Sequence, residues 1–102
     1  MKVIYDNSVE KSIDELEKPT ISKVVRMIIL LGQYGVELRM PHAKKITHGL
    51  YELRIRGRQE VRIFYIFRKN YVALLHLFIK KSQKTPPKEI STALKKLELL
   101  GP

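Results

Sequence analysis

The segment from Leu50 to Lys84, LYELRIRGRQEVRIFYIFRKNYVALLHLFIKKSQK, leaves this chain few folds to choose from. Over Leu50 to Arg56, Tyr51, Leu53 and Ile55 alternate with Glu52, Arg54 and Arg56, the two-residue period of a half-buried strand with its charges on one face. Over Glu60 to Phe67, Val61, Ile63, Tyr65 and Phe67 take one side, and Glu60, Arg62, Phe64 and Ile66 the other. Tyr71 to Ile79 is apolar on both sides except at His76, as in a central strand. A three-residue connection, Gly57-Arg58-Gln59, pairs Arg56 with Glu60 and Arg54 with Arg62, whereas a two-residue loop sets Arg54 against Val61 and spoils both faces. With Lys69-Asn70 as the next turn, Arg62 falls opposite Leu77, Lys81 emerges on its face, and His76 falls opposite Ile63, under helices.

The flanking segments supply those helices. Lys2 to Tyr5 is a short β-prone run, and Asp6-Asn7-Ser8 are cap residues for a helix over about Ser8 to Glu17 with Val9, Ile13 and Leu16 on one stripe. Pro19 closes it. Thr20 or Ser22 then caps a second helix, in which Ile21, Val24, Val25, Ile28 and Leu31 form an apolar stripe that ends at Gly32 and Gly35. Met40-Pro41 breaks the chain, and Ala43 to Ile46 is a short strand. Thr85-Pro86-Pro87 fits an N-cap with prolines in the first turn of a last helix, striped by Ile90, Ala93, Leu94 and Leu97. The order is β-α-α-β-β-β-β-α. That predicts a single α+β domain over residues 1–102, with helices packed on one face of a mostly antiparallel sheet.

Charge is concentrated where the strands are. The chain carries a net +10, and Leu38 to Lys84 holds twelve Lys/Arg against Glu52 and Glu60, so the flanks, with eight of each sign, cancel. Such a surface is either a solvated basic face or one that meets phosphates, and embedding in strands favours the second. With no cysteine, disulfides, thiolate metal sites and cysteine nucleophiles are excluded. The three histidines have no helical i, i+4 pairing and no acidic companions, so no metal is expected. No signal-peptide layout or membrane-length apolar run is present, so a cytoplasmic protein with no membrane partner is expected.

The runs GLYELRI, VRIFYIF and LLHLFIKKSQKTPPKEI resemble the phage-derived Gp49-like, HigB-type branch of the RelE/ParE toxin superfamily, over roughly residues 30 to 95. The strand–KK–x–QKTP–helix segment is the most specific part. The resemblance implies a RelE-like fold and the toxin half of a type II toxin–antitoxin pair. It further implies a ribosome-dependent mRNA endonuclease that works without a cofactor and is neutralised by a helix-turn-helix, HigA-like antitoxin. The same superfamily holds inhibitors of DNA gyrase, and a non-catalytic RNA-binding accessory protein is a third possibility. On this resemblance Arg54 and Arg62 match basic strand residues, and Lys80 or Lys81 falls near the basic residue after the last strand. Glu52 stands where RelE has a lysine, and no tyrosine follows Lys84.

Cleavage by attack of a ribose 2′-hydroxyl requires in-line geometry, a base, an acid and cations for the developing phosphorane. Arg54 and Arg62 suit phosphate because a guanidinium grips two oxygens at once. Lys81 suits a flanking phosphate or the leaving group, and Glu52 is the candidate base. Arg56, Arg58, Lys80, Lys84, Lys44, Lys45 and His48 are candidate RNA contacts, and Phe64 either stacks on an unpaired base or packs beneath the last helix. The structural alternatives are specific: Arg54 and Arg56 as solvated strand positions, Glu52 as a cross-strand ion-pair partner, and His76 as a core residue. His42 carries no signal. Tyr51, Tyr65 and Phe67 belong to the helix-covered face.

Overall fold

The computed structural model describes all of residues 1–102. In chain order the elements are β1 (Lys2–Tyr5), α1 (Asn7–Asp14), α2 (Lys18–Tyr34), β2 (Ala43–Thr47), β3 (Leu50–Ile55), β4 (Val61–Phe67), β5 (Tyr71–Ile79) and α3 (Pro87–Leu100), with a 3-10 turn at Gly35–Glu37 after α2. The strands form one sheet in the order β1-β5-β4-β3-β2; β1 runs parallel to β5 and every other pair is antiparallel. The expected fold class and element order are therefore borne out. No helix is long and apolar enough to cross a membrane.

The helix boundaries differ from expectation for identifiable reasons. Asp6 caps α1, its carboxylate accepting from the Ser8 N–H at 3.0 Å. Pro19 does not stop a helix; it sits in the first turn of α2, where its missing N–H costs nothing, so neither Thr20 nor Ser22 is the cap. Gly32 lets α2 lie close to β1, since a Cβ there would meet the Met1 carbonyl oxygen at 3.3 Å. Between β2 and β3, His48 and Gly49 both have positive φ (49° and 78°), the requirement of a two-residue type I′ hairpin.

Both faces of the sheet are covered, but unequally. Beneath α1 and α2 lies the larger core, in which Val9, Val24 and Leu31 meet Leu53, Ile55, Val61, Ile63, Tyr65, Val72 and Leu74. Tyr51 and Phe67 flank it, with Tyr51 stacked on Tyr65 at 5.5 Å between centroids, so these aromatics sit on the helix-covered face as expected. The opposite face is where the one-face arrangement needs correction. There α3 seals a second core of Leu50, Phe64, Ile66, Ala73, Leu75, Phe78 and Ala93. Those strand positions are apolar on both sides, so the sheet would leave a greasy face in water if all three helices lay together. Only the part of that face carrying Glu52, Arg54 and Arg62 is left without a helix above it.

Registers decide which side chains share that open part. In β3–β4, Arg54 pairs with Arg62, Glu52 with Phe64 and Ile55 with Val61, as the loop argument predicts. In β4–β5 the expected register holds only from Phe67–Val72 to Tyr65–Leu74. A β-bulge then shifts it by one, pairing Phe64 with His76, Ile63 with Leu77 and Arg62 with Phe78. His76 is thus not among the residues under α1 and α2 but on the α3 side. Apolar residues on both sides of β5 make a one-residue slip invisible to periodicity.

Candidate nucleic-acid interface

At the floor of the open region, Glu52 is only 4 % exposed and Arg62 2 %, although both belong to a strand pattern that reads as solvated. The Glu52 Oε1 lies 3.7 Å from Arg54 Nε and 4.0 Å from Arg62 Nε, and its other oxygen accepts from Thr85 Oγ1 at 3.4 Å. Arg62 donates through Nη1 to the Val61 carbonyl (2.9 Å) and through Nη2 to Glu60 Oε1 (3.3 Å). Neither Arg54 Nε nor Arg62 Nε, both buried, has a hydrogen-bond partner. Buried charged donors without acceptors are costly, and two of the three such guanidinium Nε groups, with Arg68 the third, lie beside this one carboxylate.

Above this floor opens a cleft of about 510 Å³ lined entirely by polar residues: Arg54, Arg56, Glu60, Arg62, Lys80, Lys81, Ser82 and Gln83. Its walls come from the β3–β4 hairpin and from the chain leaving β5. The Lys80 N–H donates to the Glu60 carbonyl at 2.7 Å, which continues the shifted register one step beyond the strands. That shift gives Lys80 the same side as Arg62, while Lys81 also reaches the cleft because the backbone has left the sheet. The Glu60 carboxyl is held below the usual carboxylate range, first by the Gly57 N–H at 2.9 Å and then by Arg62 and Arg56.

The structure brings together Glu52, Arg54, Arg56, Arg62, Lys80 and Lys81, and not the other candidates. Phe64 is fully buried between the sheet and α3, its ring 5.3 Å from that of Phe78, so of its two readings the packing one is realised and no base can stack on it. Arg58 turns to Glu17 (3.6 Å), and the Gln59 side chain accepts from the Glu17 N–H, tying the hairpin loop to the start of α2. Lys44 is cross-strand from Glu52 and shares its face at the sheet edge; Lys45 pairs with Tyr51 and faces the other way. His48 sits at the β2–β3 turn, at the opposite end of β3 from the cleft. Lys84 is exposed in the loop before α3 and does not line the cleft.

Three participants escape sequence reasoning. Thr85, expected to cap α3, leaves that place to Pro86 and gives its hydroxyl to Glu52 instead. His76 places Nε2 2.7 Å from Glu89 Oε1, joining β5 to the first turn of α3, with its ring stacked on those of Phe64 and Phe78. Glu60, read as a strand end, forms part of the cleft wall. Only Glu60 carried a signal, its place two residues before Arg62 on the same face.

A small five-stranded sheet with an α-helical hairpin on one face and a lone helix on the other is a RelE-like fold. Chains of two structures of the YoeB–YefM complex from Staphylococcus aureus, one described as a heterotetrameric toxin–antitoxin complex, share it. They superpose with TM-scores of 0.57 and 0.58 at 16 % identity, over 80 % of this chain and 97 % of theirs. The family model for phage-derived proteins that are Gp49-like matches residues 11–98, so the chain belongs to that family, as its motifs indicated. No curated protein matches the sequence.

Proposed function

We propose that this protein is the toxin of a type II toxin–antitoxin pair and cleaves messenger RNA in the cytoplasm, acting with the ribosome and without a metal. The observation that carries the reading is the pair of unpartnered, buried guanidinium Nε groups of Arg54 and Arg62 on the floor of an all-polar, cationic cleft. Family membership and the fold shared with chains of a toxin–antitoxin complex support it.

In the proposed reaction Glu52 accepts the proton of a ribose 2′-hydroxyl, whose oxygen attacks the adjacent phosphorus. The P–O5′ bond breaks, leaving a 2′,3′-cyclic phosphate on one fragment. The departing 5′ oxygen takes a proton from Lys80 or Lys81 and ends the other fragment as a hydroxyl. Arg54 and Arg62 bind the equatorial oxygens as negative charge accumulates there. Glu52 makes no short contact with either arginine, so its Oε1 retains lone pairs for the proton; contacts of this kind tighten once substrate is bound. The partner expected to silence the site is a helix-turn-helix antitoxin offering acidic side chains to the cleft.

The test is an in vitro translation reaction with wild type, Arg54→Ala and Arg62→Ala, the 5′ ends of the mRNA mapped by primer extension. Cleavage within ribosome-bound codons, lost in both variants, is expected. Intact mRNA with the wild-type protein at undiminished translation would overturn the reading.

A further inference from the structure

A second cationic cleft, of about 280 Å³, opens on the other side of Arg54, between α2 and the end of β3. Lys23, Arg26, His42, Arg54 and Arg56 line it, with no acidic residue among its walls. Lys23 and Arg26 are three apart on α2 and so share one helix face; both are exposed, and neither joins any ion pair of the chain. The only polar contact of Lys23 is a long one, from Nζ to the Arg56 carbonyl at 3.5 Å. Arg54 Nη1 points to the sulfur of Met40 at 3.5 Å, toward the Pro41-His42 wall. Four permanent cations gathered around one hollow repel one another, a cost that a bound anion removes.

Arg54 and Arg56 line both clefts, so the two hollows are neighbours at the end of β3 with these arginines between them. These arginines are two residues apart on one strand, about 7 Å, close to the interval between successive phosphates of an extended single strand. We propose that the α2-side cleft holds phosphodiesters of the same RNA strand whose scissile phosphate lies in the first cleft, with Lys23 and Arg26 as the contacts that extend the footprint. This rests on RNA being the substrate. It adds a binding site on a helix that takes no part in the reaction, and it predicts that affinity depends on RNA length.

Fluorescence anisotropy with labelled, uncleavable 2′-O-methyl RNA tests it, using a tetranucleotide and a decanucleotide between about 50 and 200 mM salt. Wild type is compared with the Lys23→Ala/Arg26→Ala double variant, whose substitutions fall on exposed helix positions; circular dichroism checks that its fold is kept. The wild type is expected to bind the longer RNA more tightly. The variant should lose most of that gain, and its slope of log K against log salt should be shallower by about 0.7 to 1.4, one to two single-strand phosphate contacts. An unchanged slope with an unchanged length gain overturns the second site while leaving the RNA reading intact. Absence of binding of free RNA by the wild type overturns the second site, and the translation assay then decides the RNA reading by itself. Loss of binding to a polyglutamate peptide, with RNA binding unaltered, also overturns it and assigns the cleft to an acidic protein.

Discussion

The Nε2 atom of His76 lies 2.7 Å from Glu89 Oε1, and through this contact the central strand β5 holds the first turn of α3. The same turn begins two residues after Thr85, whose hydroxyl reaches Glu52. A contact in the α3 core is therefore mechanically linked to the carboxylate under the cleft. Replacing His76 with Phe keeps an aromatic ring beside Phe64 and Phe78 but removes the tie. The expected cost is about 1.5–3 kcal/mol in urea unfolding, the range for a hydrogen bond to a charged group. Hydrogen exchange at the start of α3 should quicken before exchange in β4 does; equal quickening in both would show that the tie does not act on the helix.

Tyr65 presents the opposite situation, a hydroxyl buried with no partner. Burial raises its pKa well above the ordinary phenol value near 10. The sign follows: the neutral ring is favoured in the fold, its contribution is whole below about pH 10, and stability declines as pH rises beyond that and the unfolded phenol ionises. Tyr65→Phe should thus be neutral or up to about 1 kcal/mol more stable at pH 7, because an unsatisfied polar atom is removed and the stack with Tyr51 persists. It should also unfold less steeply in alkali. A loss of more than about 1 kcal/mol would mean that the hydroxyl has a partner, such as an ordered water.

Acid should weaken the fold through two carboxylates. Asp6 is held low chiefly by the Ser8 hydroxyl, with the Ser8 N–H and Lys96 adding to it, and Glu60 chiefly by the Gly57 N–H. For groups lowered in the fold, the stabilisation is complete above the ordinary carboxyl pKa near 4 and disappears as pH falls through the lowered values. The Asp6→Asn/Glu60→Gln variant should show a flatter decline of Tm below about pH 4 than wild type. Asp6→Ala alone should cost about 1 kcal/mol at neutral pH as a lost helix cap.

Within the proposed site, Glu52→Gln and Glu60→Gln separate the carboxylate expected to be the base from a second one in the cleft wall. Glu60 is held acidic and is therefore a weak base, so Glu60→Gln should reduce RNA cleavage modestly, whereas Glu52→Gln should lower it by about 10²–10⁴, the range for loss of a general base. The reverse order would transfer the proton-accepting role to Glu60. Arg62→Ala should in addition lower stability by about 3 kcal/mol or more, since it strands Glu52 near the sheet interior with one cation fewer. Arg54→Ala removes the nearer of the two cations beside Glu52, from a side chain that is 14 % exposed, and should also lower stability, though by less than Arg62→Ala, so cleavage by both variants is read on protein that circular dichroism shows to be folded.

Strand alternation made the β3–β4 hairpin legible to the residue, including the Arg54–Arg62 pair, because a one-step error there would invert both faces. The same rule failed in β5. Its residues are apolar on both sides, and the bulge beside Tyr65 moved His76 to the other face and aligned Lys80 with Arg62 without disturbing any pattern. The placement of α3 was hidden for a related reason. An amphipathic helix records that it covers something apolar, but not which of two apolar faces. The burial of Arg62 and the hydroxyl contact of Thr85 depend on that placement, so they were out of reach until the helix was located.

The order of strands also has a consequence for how the protein is made. In a sheet arranged β1-β5-β4-β3-β2, the first strand synthesised has no partner until Tyr71–Ile79 emerges, and the cleft has only one wall until Lys80 to Thr85 follow. Phe64 and its neighbours then stay bare until α3 arrives. A nascent chain therefore has no complete cleft until Lys80 to Thr85 have emerged beside the β3–β4 hairpin, and its second core stays open until α3 has followed, so the site and the helix that steadies it are assembled in that order.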